Sequence, residues 1–443
     1  MNCTLLNSPI YWERSVNEET YLPPLGLGYI ATHLKGAGIN VDIVDCVKLR
    51  YGVREIHNLL MEKDPEYIGI NIFTQNCEIV RSIVENCPNT GTIFIGGQVV
   101  KSIYREIIQW QVSNELILII GEGELILPSI ISGECQESPL LNEKNKTVYV
   151  VNQNSKYYPA DLSKVYLDRS FLFNETITNH YGQQEAAVIA SRGCIYNCAF
   201  CGGARELNQD ISVRRRKLHD IVYEIKEIIA LYPEVASIRV LDDLFLRNEE
   251  TIIEATEIFN GFKNLYWRGM AHVLSFEKAL YLLDVLKSSG CRELFIGIES
   301  GSDRIRKYIN KAGTIDQVYN IVTAILTAGI DVKGYFIYGF PSETQIDCQA
   351  TYKLAMELNK ISLHTQGAFR TSVFQFRPYH GTRLYKDIIA NGQKIDSIVS
   401  NPSISSMQNR TQFNFQSGNY SMISEDELND FIIKTQRLSE ESL

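Results

Sequence analysis

Three of the ten cysteines fall within eight residues, in Ser191-Arg192-Gly193-Cys194-Ile195-Tyr196-Asn197-Cys198-Ala199-Phe200-Cys201-Gly202-Gly203. The spacing is C-x3-C-x2-C. Offsets of four and three would also put Cys194, Cys198 and Cys201 on one face of a helix, as core thiols. Against that, Gly193 and the Gly202-Gly203 pair mark a loop. Structural zinc takes four ligands, and no fourth Cys or His stands at a conventional offset, the nearest being His219. Three thiolates suit a [4Fe–4S] cluster differently: four would saturate it, whereas three leave one iron open to bind and reduce another molecule.

Two segments of alternating strand and helix patterns must position such a loop, and both imply parallel sheets with crossover helices. The first, residues 1–135, has apolar runs at 3–6, 41–44, 67–72, 92–95 and 116–120, with helical patterns between them such as 27–36 and 79–86. It predicts a doubly wound Rossmann-like or flavodoxin-like sheet, with ligands outside the carboxyl ends of the strands. Glycine-bearing turns sit at those ends: Pro23-Pro24-Leu25-Gly26, Gly96-Gly97 and Gly121-Glu122-Gly123-Glu124. Residues 136–184 are polar and read as a surface connector. The second alternating segment, 185–390, has strand candidates at 187–191, 237–241, 265–270, 294–298, 332–338 and 371–376. Six such units predict a partial (β/α)6 TIM-type barrel with the cysteines directly after its first strand. Residues 391–443 form a tail with a helix expected over 425–438, capped by Ser424.

The composition is ordinary for a globular protein, 45% apolar and 21% charged over 443 residues. A formal charge of −9 gives no broad footprint for a phosphate backbone, so a nucleic-acid substrate is disfavoured. The dense basic run Arg214-Arg215-Arg216-Lys217 reads as a solvated face. No leader pattern and no membrane-length apolar stretch is visible, which gives the expectation of a cytoplasmic protein without a membrane partner. The seven other cysteines are scattered singly and read as small buried hydrophobes.

The cysteine motif, with Phe200 before its last cysteine and at the end of the first barrel strand, resembles the radical S-adenosylmethionine (SAM) superfamily. That resemblance implies a [4Fe–4S] cluster on Cys194, Cys198 and Cys201 whose open iron chelates SAM. One electron then yields methionine and a 5′-deoxyadenosyl radical. It also implies cofactor contacts at later strand ends. Asp242 and Asp243 would meet the SAM amino group, and Glu299, beside Ser300, would meet the ribose. Tyr338 and Gly339 lie in a stretch similar to the family's adenine-contacting Gly-x-Ile-x-Gly region.

The N-terminal stretches Tyr21-Leu22-Pro23-Pro24-Leu25-Gly26-Leu27-Gly28-Tyr29-Ile30, Gly96-Gly97 and Gly121-Glu122-Gly123-Glu124 resemble the B12-binding branch of that superfamily. Gly26, Gly96, Gly97, Gly121 and Glu122 are the residues this assigns to the cofactor. The Asp-x-His-x-x-Gly motif that supplies a cobalt ligand in several B12 proteins is absent, and His33 lies in a helical pattern. Cobalamin therefore stays open, as does a sheet that binds nothing.

Phe376-Arg377-Pro378-Tyr379-His380-Gly381-Thr382-Arg383 follows the sixth strand. His380 and Tyr379 are the candidates for acid–base work, and Arg377 or Arg383 for binding hydroxyls or an anion. This loop and Phe413-Asn414-Phe415-Gln416-Ser417-Gly418-Asn419-Tyr420 loosely resemble the radical SAM diol dehydratases of aminoglycoside biosynthesis. The expectation is a natural-product tailoring enzyme acting on an unactivated carbon of a small polar metabolite, by radical dehydration or deoxygenation of a sugar-like diol. The alternatives are a cobalamin-dependent C-methyltransferase and a non-enzymatic zinc-stabilised scaffold. A low-potential electron donor of the flavodoxin or ferredoxin type is the expected partner.

Overall fold

The computed structural model describes residues 1–14, 22–172, 175–395, 399–400 and 415–439. Tyr21, Phe413 and Asn414 of the stretches above lie outside the described residues.

The first sheet contains β1 (Asn2–Asn7), β2 (Asn40–Asp45), β3 (Tyr67–Asn71), β4 (Thr92–Gly96), β5 (Leu116–Ile120), β6 (Leu141–Glu143) and β7 (Lys146–Val150). Its order is β2-β1-β3-β4-β5-β7-β6. The first five strands are parallel and follow the flavodoxin-type order, with the switch point between β1 and β3. Helices cover both faces, so a central strand such as β5, Leu-Ile-Leu-Ile-Ile, is apolar on both sides and buried throughout. Separate apolar cores fill the two sides. His33 lies near the end of the helix Leu25–Gly36, and its ring nitrogens meet the carbonyls of Tyr29 and Lys164.

The stretch expected to be a pure connector contributes two of these strands. Lys146–Val150 pairs parallel to β5 and turns back through Lys144, at φ 53°, into β6. Only Val148 on β7 is fully buried, so the strand looked too polar to read from sequence.

The second sheet contains β8 (Ile177–Thr178), β9 (Gln184–Val188), β12 (Val235–Val240), β13 (Tyr266–Ala271), β14 (Cys291–Glu299), β15 (Asp331–Tyr338) and β16 (Phe369–Gln375); β10 (Ser191–Arg192) and β11 (Arg214–Arg215) form a separate ladder. From β9 through β16 six strands run parallel in sequence order, an open half-barrel, and β8 adds an antiparallel edge. Residues alternate between a main core under the helices and the barrel lumen. The first barrel strand lies at 184–188, not 187–191. Its lumen residue Glu185 is fixed by Arg268 through Oε1 at 2.5 Å and Oε2 at 2.7 Å. The C-terminal helix Glu425–Arg437, with the expected Ser424 cap completed by Glu427 into a capping box, packs on β16. No helix of the described residues is long and apolar enough to cross a membrane.

The basic run is not a solvated face. Arg214 pairs with Glu122, Arg215 with Glu254 and Arg216 with Glu224, and Arg214 is buried. Of the scattered cysteines, Cys3, Cys46, Cys291 and Cys348 are buried, and Cys77, Cys87 and Cys135 are partly exposed.

Candidate functional site

β9 delivers the chain into the β10–β11 ladder, and the cysteines occupy the loop between those two short strands. Gly193, at φ 90°, turns the chain out of β10, so the three cysteines do not share a helix. The loop is pinned from three sides. Ala199 donates its N–H to Ile309 O at 2.8 Å and accepts at its carbonyl from Leu384 N–H at 3.0 Å. The Tyr196 ring stacks on His272 at 4.1 Å, and Phe200 leans on Phe340 at 5.6 Å.

Cys194, Cys198 and Cys201 are unpaired and partly accessible. Burial raises all three thiol pKa values, that of Cys201 to about 12. Such thiols ionise only against strong local positive charge, which bound iron would supply. Cys201 Sγ accepts the Gly203 N–H at 3.3 Å, an amide–sulfur bond of the kind that tunes cluster thiolates. Among the described residues no three His, Cys, Asp or Glu side chains converge to grip a single ion. Three cysteines on one pinned loop are the donor set that a [4Fe–4S] cluster with one uncovered iron would take.

The structure separates the two acids that close β12. Asp242 is buried, accepts from Ala190 N–H at 2.8 Å and from the Ser191 hydroxyl at 2.6 Å, and its pKa is raised to about 6 by burial. It ties β12 to the end of β9, and both of its carboxylate oxygens are taken up in doing so. Asp243 is exposed on the cluster side, where a Cβ on Gly203 would stand 3.7 Å from its carboxyl carbon. Of the pair, Asp243 is the one that can meet an amino group.

Glu299 closes β14 with φ 65°, outside the usual region for a side chain of its size. Its carboxylate meets Lys311 Nζ at 3.0 Å, with both groups buried. Lys311 is held protonated by Glu299, although burial pulls the other way. Sequence reasoning missed Lys311. It turns back inward because Asn310, at φ 53°, ends the preceding helical stretch, and no periodic pattern announces that. Ser300 is buried in its own turn, sharing its hydroxyl with Thr351 at 3.1 Å and accepting from Ser302 N–H at 3.1 Å.

Tyr338 does not reach the strand-end face. Its ring stacks on Phe431 and its hydroxyl meets Thr435 at 2.7 Å, so it faces the C-terminal helix. The alternation along β15 sends Tyr338 outward and Ile337 inward. Gly339 turns at φ 90° and donates to Glu343 Oε2 at 2.6 Å.

The carboxyl edge of the first sheet lies against the cluster loop. Arg192 pairs with Glu122 and Glu124, each at 2.8 Å, and lies over the Tyr29 ring at 5.3 Å. Arg214 reaches Glu122 at 2.7 Å. Glu122 therefore bonds to the other domain, and both arginines hold its carboxyl below the usual range although burial raises it. The Gln98 side chain occupies the space beside Gly202, where a Cβ would stand 2.8 Å from its Nε2. Gly97, at φ 124°, and Gly121, at φ 105°, pass against the backbone of Ile72 and Val151, whereas Gly96 and Gly26 face open space. Gln98 and Arg192 were legible only as polar residues next to a glycine motif.

His380 sits on this same seam, with Nδ1 3.2 Å from the Thr74 hydroxyl and its ring 4.8 Å from that of Tyr385; burial lowers its pKa. The Tyr379 carbonyl caps the next helix through Thr382, and its ring lies 6.0 Å from the Arg377 guanidinium. Arg383 bonds to the Tyr308 carbonyl. The structure thus puts His380 between the domains rather than over the cysteines.

Comparison with known proteins agrees with this geometry. Residues 188–355 match the Radical SAM superfamily, and residues 16–131 match the B12 binding domain. The chain is 26% identical to an uncharacterized methyltransferase of Pyrococcus horikoshii, covering 83% of this chain and 79% of that protein. It is 24% identical to the cytidylyl-2-hydroxyethylphosphonate methyltransferase of Streptomyces wedmorensis, covering 83% and 78%. Among solved structures, the radical SAM methyltransferase TsrM from Kitasatospora setae, with cobalamin and a [4Fe–4S] cluster bound, superposes with TM-score 0.68 at 15% identity, covering 98% of this chain and 90% of that one. The cobalamin-dependent SAM radical enzyme OxsB, with aqua-cobalamin and SAM bound, gives TM-score 0.68 at 15% identity, covering 97% and 65%.

Proposed function

We infer that this chain, which belongs to the radical SAM superfamily and carries a B12-binding domain, is a cobalamin-dependent methyltransferase acting on a carbon of a small molecule. The observation that carries this reading is the Gln98–Gly202 contact: the glycine turn at the end of β4 lies against the loop of Cys201. A flat cofactor over Gly96 would sit beside whatever the cluster binds. The two sequence relatives named above, both methyltransferases, favour this over the dehydration expected from the substrate-side loop.

When bound, the cluster and SAM supply the adenosyl radical, and cobalamin supplies a methyl carrier. The chain's own residues do the rest. Cys194, Cys198 and Cys201 hold three corners of the cluster. Asp243 accepts from the SAM amino group, and the Glu299–Lys311 pair presents one acceptor and one cation to its ribose and carboxylate. Asp242 keeps the ends of β9 and β12 in register. The first domain lacks the Asp-x-His-x-x-Gly motif, so the Gly96 turn and the polar residues of the β1–β3 switch point would hold cobalamin, which would supply the methyl carrier. A low-potential donor of the flavodoxin or ferredoxin type supplies the electron.

The test is anaerobic reconstitution with iron, sulfide and hydroxocobalamin, followed by reduction in the presence of SAM bearing a deuterated methyl group. Cobalamin retained through desalting, with both S-adenosylhomocysteine and 5′-deoxyadenosine formed, is the expected result. Formation of 5′-deoxyadenosine alone, with no retained cobalamin, would return the assignment to radical dehydration.

A further inference from the structure

The lumen of the half-barrel carries a cation, Arg239, with no hydrogen-bonded or ion-paired partner among the described residues. Arg268 and Arg370, by contrast, are matched. Arg268 bonds to Glu185 at 2.5 and 2.7 Å and to Glu293 at 2.8 Å, and Arg370 takes both oxygens of Glu293. On β12, opposite Arg268 in register, Arg239 makes no hydrogen bond or ion pair among the described residues, and its Nε is shielded from solvent without a partner. Its guanidinium lies 5.1 Å from the centre of the Phe295 ring.

The wall above is aromatic. Tyr335 stands 6.4 Å from Phe295 and 6.0 Å from Phe374, and its hydroxyl makes no hydrogen bond among the described residues. Lys333 lies 5.2 Å from the Tyr335 ring, and Arg377 lies 5.3 Å from that of Phe374. Desolvating a guanidinium without a directly paired counter-charge is costly, and a ring face offsets only part of that cost. The two carboxylates within the lumen are already committed to Arg268 and Arg370. An arrangement of this kind is complete only when an anion enters.

We propose that the substrate is a small oxyanion, a carboxylate or phosphoryl compound, whose head group Arg239 and the Tyr335 hydroxyl hold inside the barrel. Its body lies against Tyr335 and Phe374, while the buried Phe295 backs Arg239. Arg239 is next to the last residue of β12 and four residues before Asp243, a separation of at most about 13 Å at ~3.3 Å per residue, so the opposite end of such a molecule reaches towards the cluster level. This rests on the methyltransferase reading for what happens at that end, but not for the binding itself.

Reconstituted protein is titrated with phenylphosphonate, phenylacetate and neutral benzyl alcohol, and the thermal midpoint is followed. At least one anion is expected to raise the midpoint saturably while benzyl alcohol does not, and the tighter anion identifies the head group. R239Q should bind that anion at least about tenfold more weakly, the loss of one charge-assisted contact. Equal binding of benzyl alcohol, no binding of either anion, or undiminished binding by R239Q overturns the proposal. The wild-type comparison of charged and neutral probes decides even if R239Q fails to fold. Cluster and cobalamin absorbance in the same samples report separately on the methyltransferase reading.

Discussion

Arg192, two residues before the first cysteine of the cluster motif, donates to Glu122 of the other domain at 2.8 Å, and both side chains are largely buried. The strand that delivers the cysteines is thereby tied to the turn after β5, so the two domains' cofactor edges are held as one unit. Removing one member of a buried pair leaves the other uncompensated and costs about 3–5 kcal/mol. Glu122 has two arginine partners, so E122A should destabilise the protein more than R192A. Calorimetry of the two variants checks this, with the further expectation that E122A separates unfolding into two transitions.

The Glu299–Lys311 pair makes a second, sharper prediction. K311M should destabilise by about 3–5 kcal/mol, because a buried carboxylate loses its counter-charge, and it should raise the KM for SAM at unchanged iron content. The double variant E299Q/K311M should recover most of the stability while SAM binding stays weak, because the two effects have different origins. Recovery of SAM binding together with stability would mean that the pair is only structural. G297A reaches the same point by another route, since its Cβ would overlap Glu299 Oε1 and stand 2.7 Å from Lys311 Nζ.

The strand–helix order, the half-barrel and the cluster loop were legible because each leaves a local mark: apolar runs with fixed alternation, and cysteines among glycines. The first barrel strand was misplaced by three residues because its lumen face carries Glu185, whose charge is matched by Arg268 from another strand. β6 and β7 were missed for a related reason: they finish one side of the sheet and, Val148 apart, bury little. Within the site, Asp242 and Asp243 are chemically identical in sequence, and only the Ala190 and Ser191 contacts reveal that one of them is a strut. Tyr338 shows the opposite error. It sits in the right motif, but one residue of register sends its ring to the C-terminal helix. Lys311, Gln98 and Arg239 gain their surroundings from elements distant in the chain, which a linear reading does not supply.

Gly96 and Gly97 offer a paired test of the crevice. A Cβ at position 97 would stand 2.5 Å from the Ile72 carbonyl oxygen at a φ of 124°, whereas one at position 96 meets nothing within 4 Å. G97A should therefore cost about 1–3 kcal/mol in stability. G96A should lie within about 0.5 kcal/mol of the parent in the absence of cofactor. If cobalamin lies over this turn, G96A should nonetheless lose it on desalting, which absorption spectra report directly. Full retention by G96A would put the cofactor elsewhere.

Glu343 gives the chain a pH dependence that its neighbours do not share. The carboxyl is fully buried, accepts from the Gly339 and Phe340 N–H groups at 2.6 and 3.2 Å, and is pushed up to about 8 by burial. The unfolded chain releases this proton near 4.3. Between those values the folded state holds a proton that the unfolded state has lost, so stability falls as pH rises from about 4.3 towards 8. This is the reverse of the salt-bridged Glu122, whose lowered pKa gives stability that is lost on acidification. E343Q keeps an acceptor for the two N–H groups and has no proton to lose. Its stability should be flatter than the parent's across that window, and higher than the parent's at pH 8. Denaturant melts at pH 5, 6.5 and 8 separate the two curves, and parallel curves would mean that Glu343 titrates as an ordinary carboxylate.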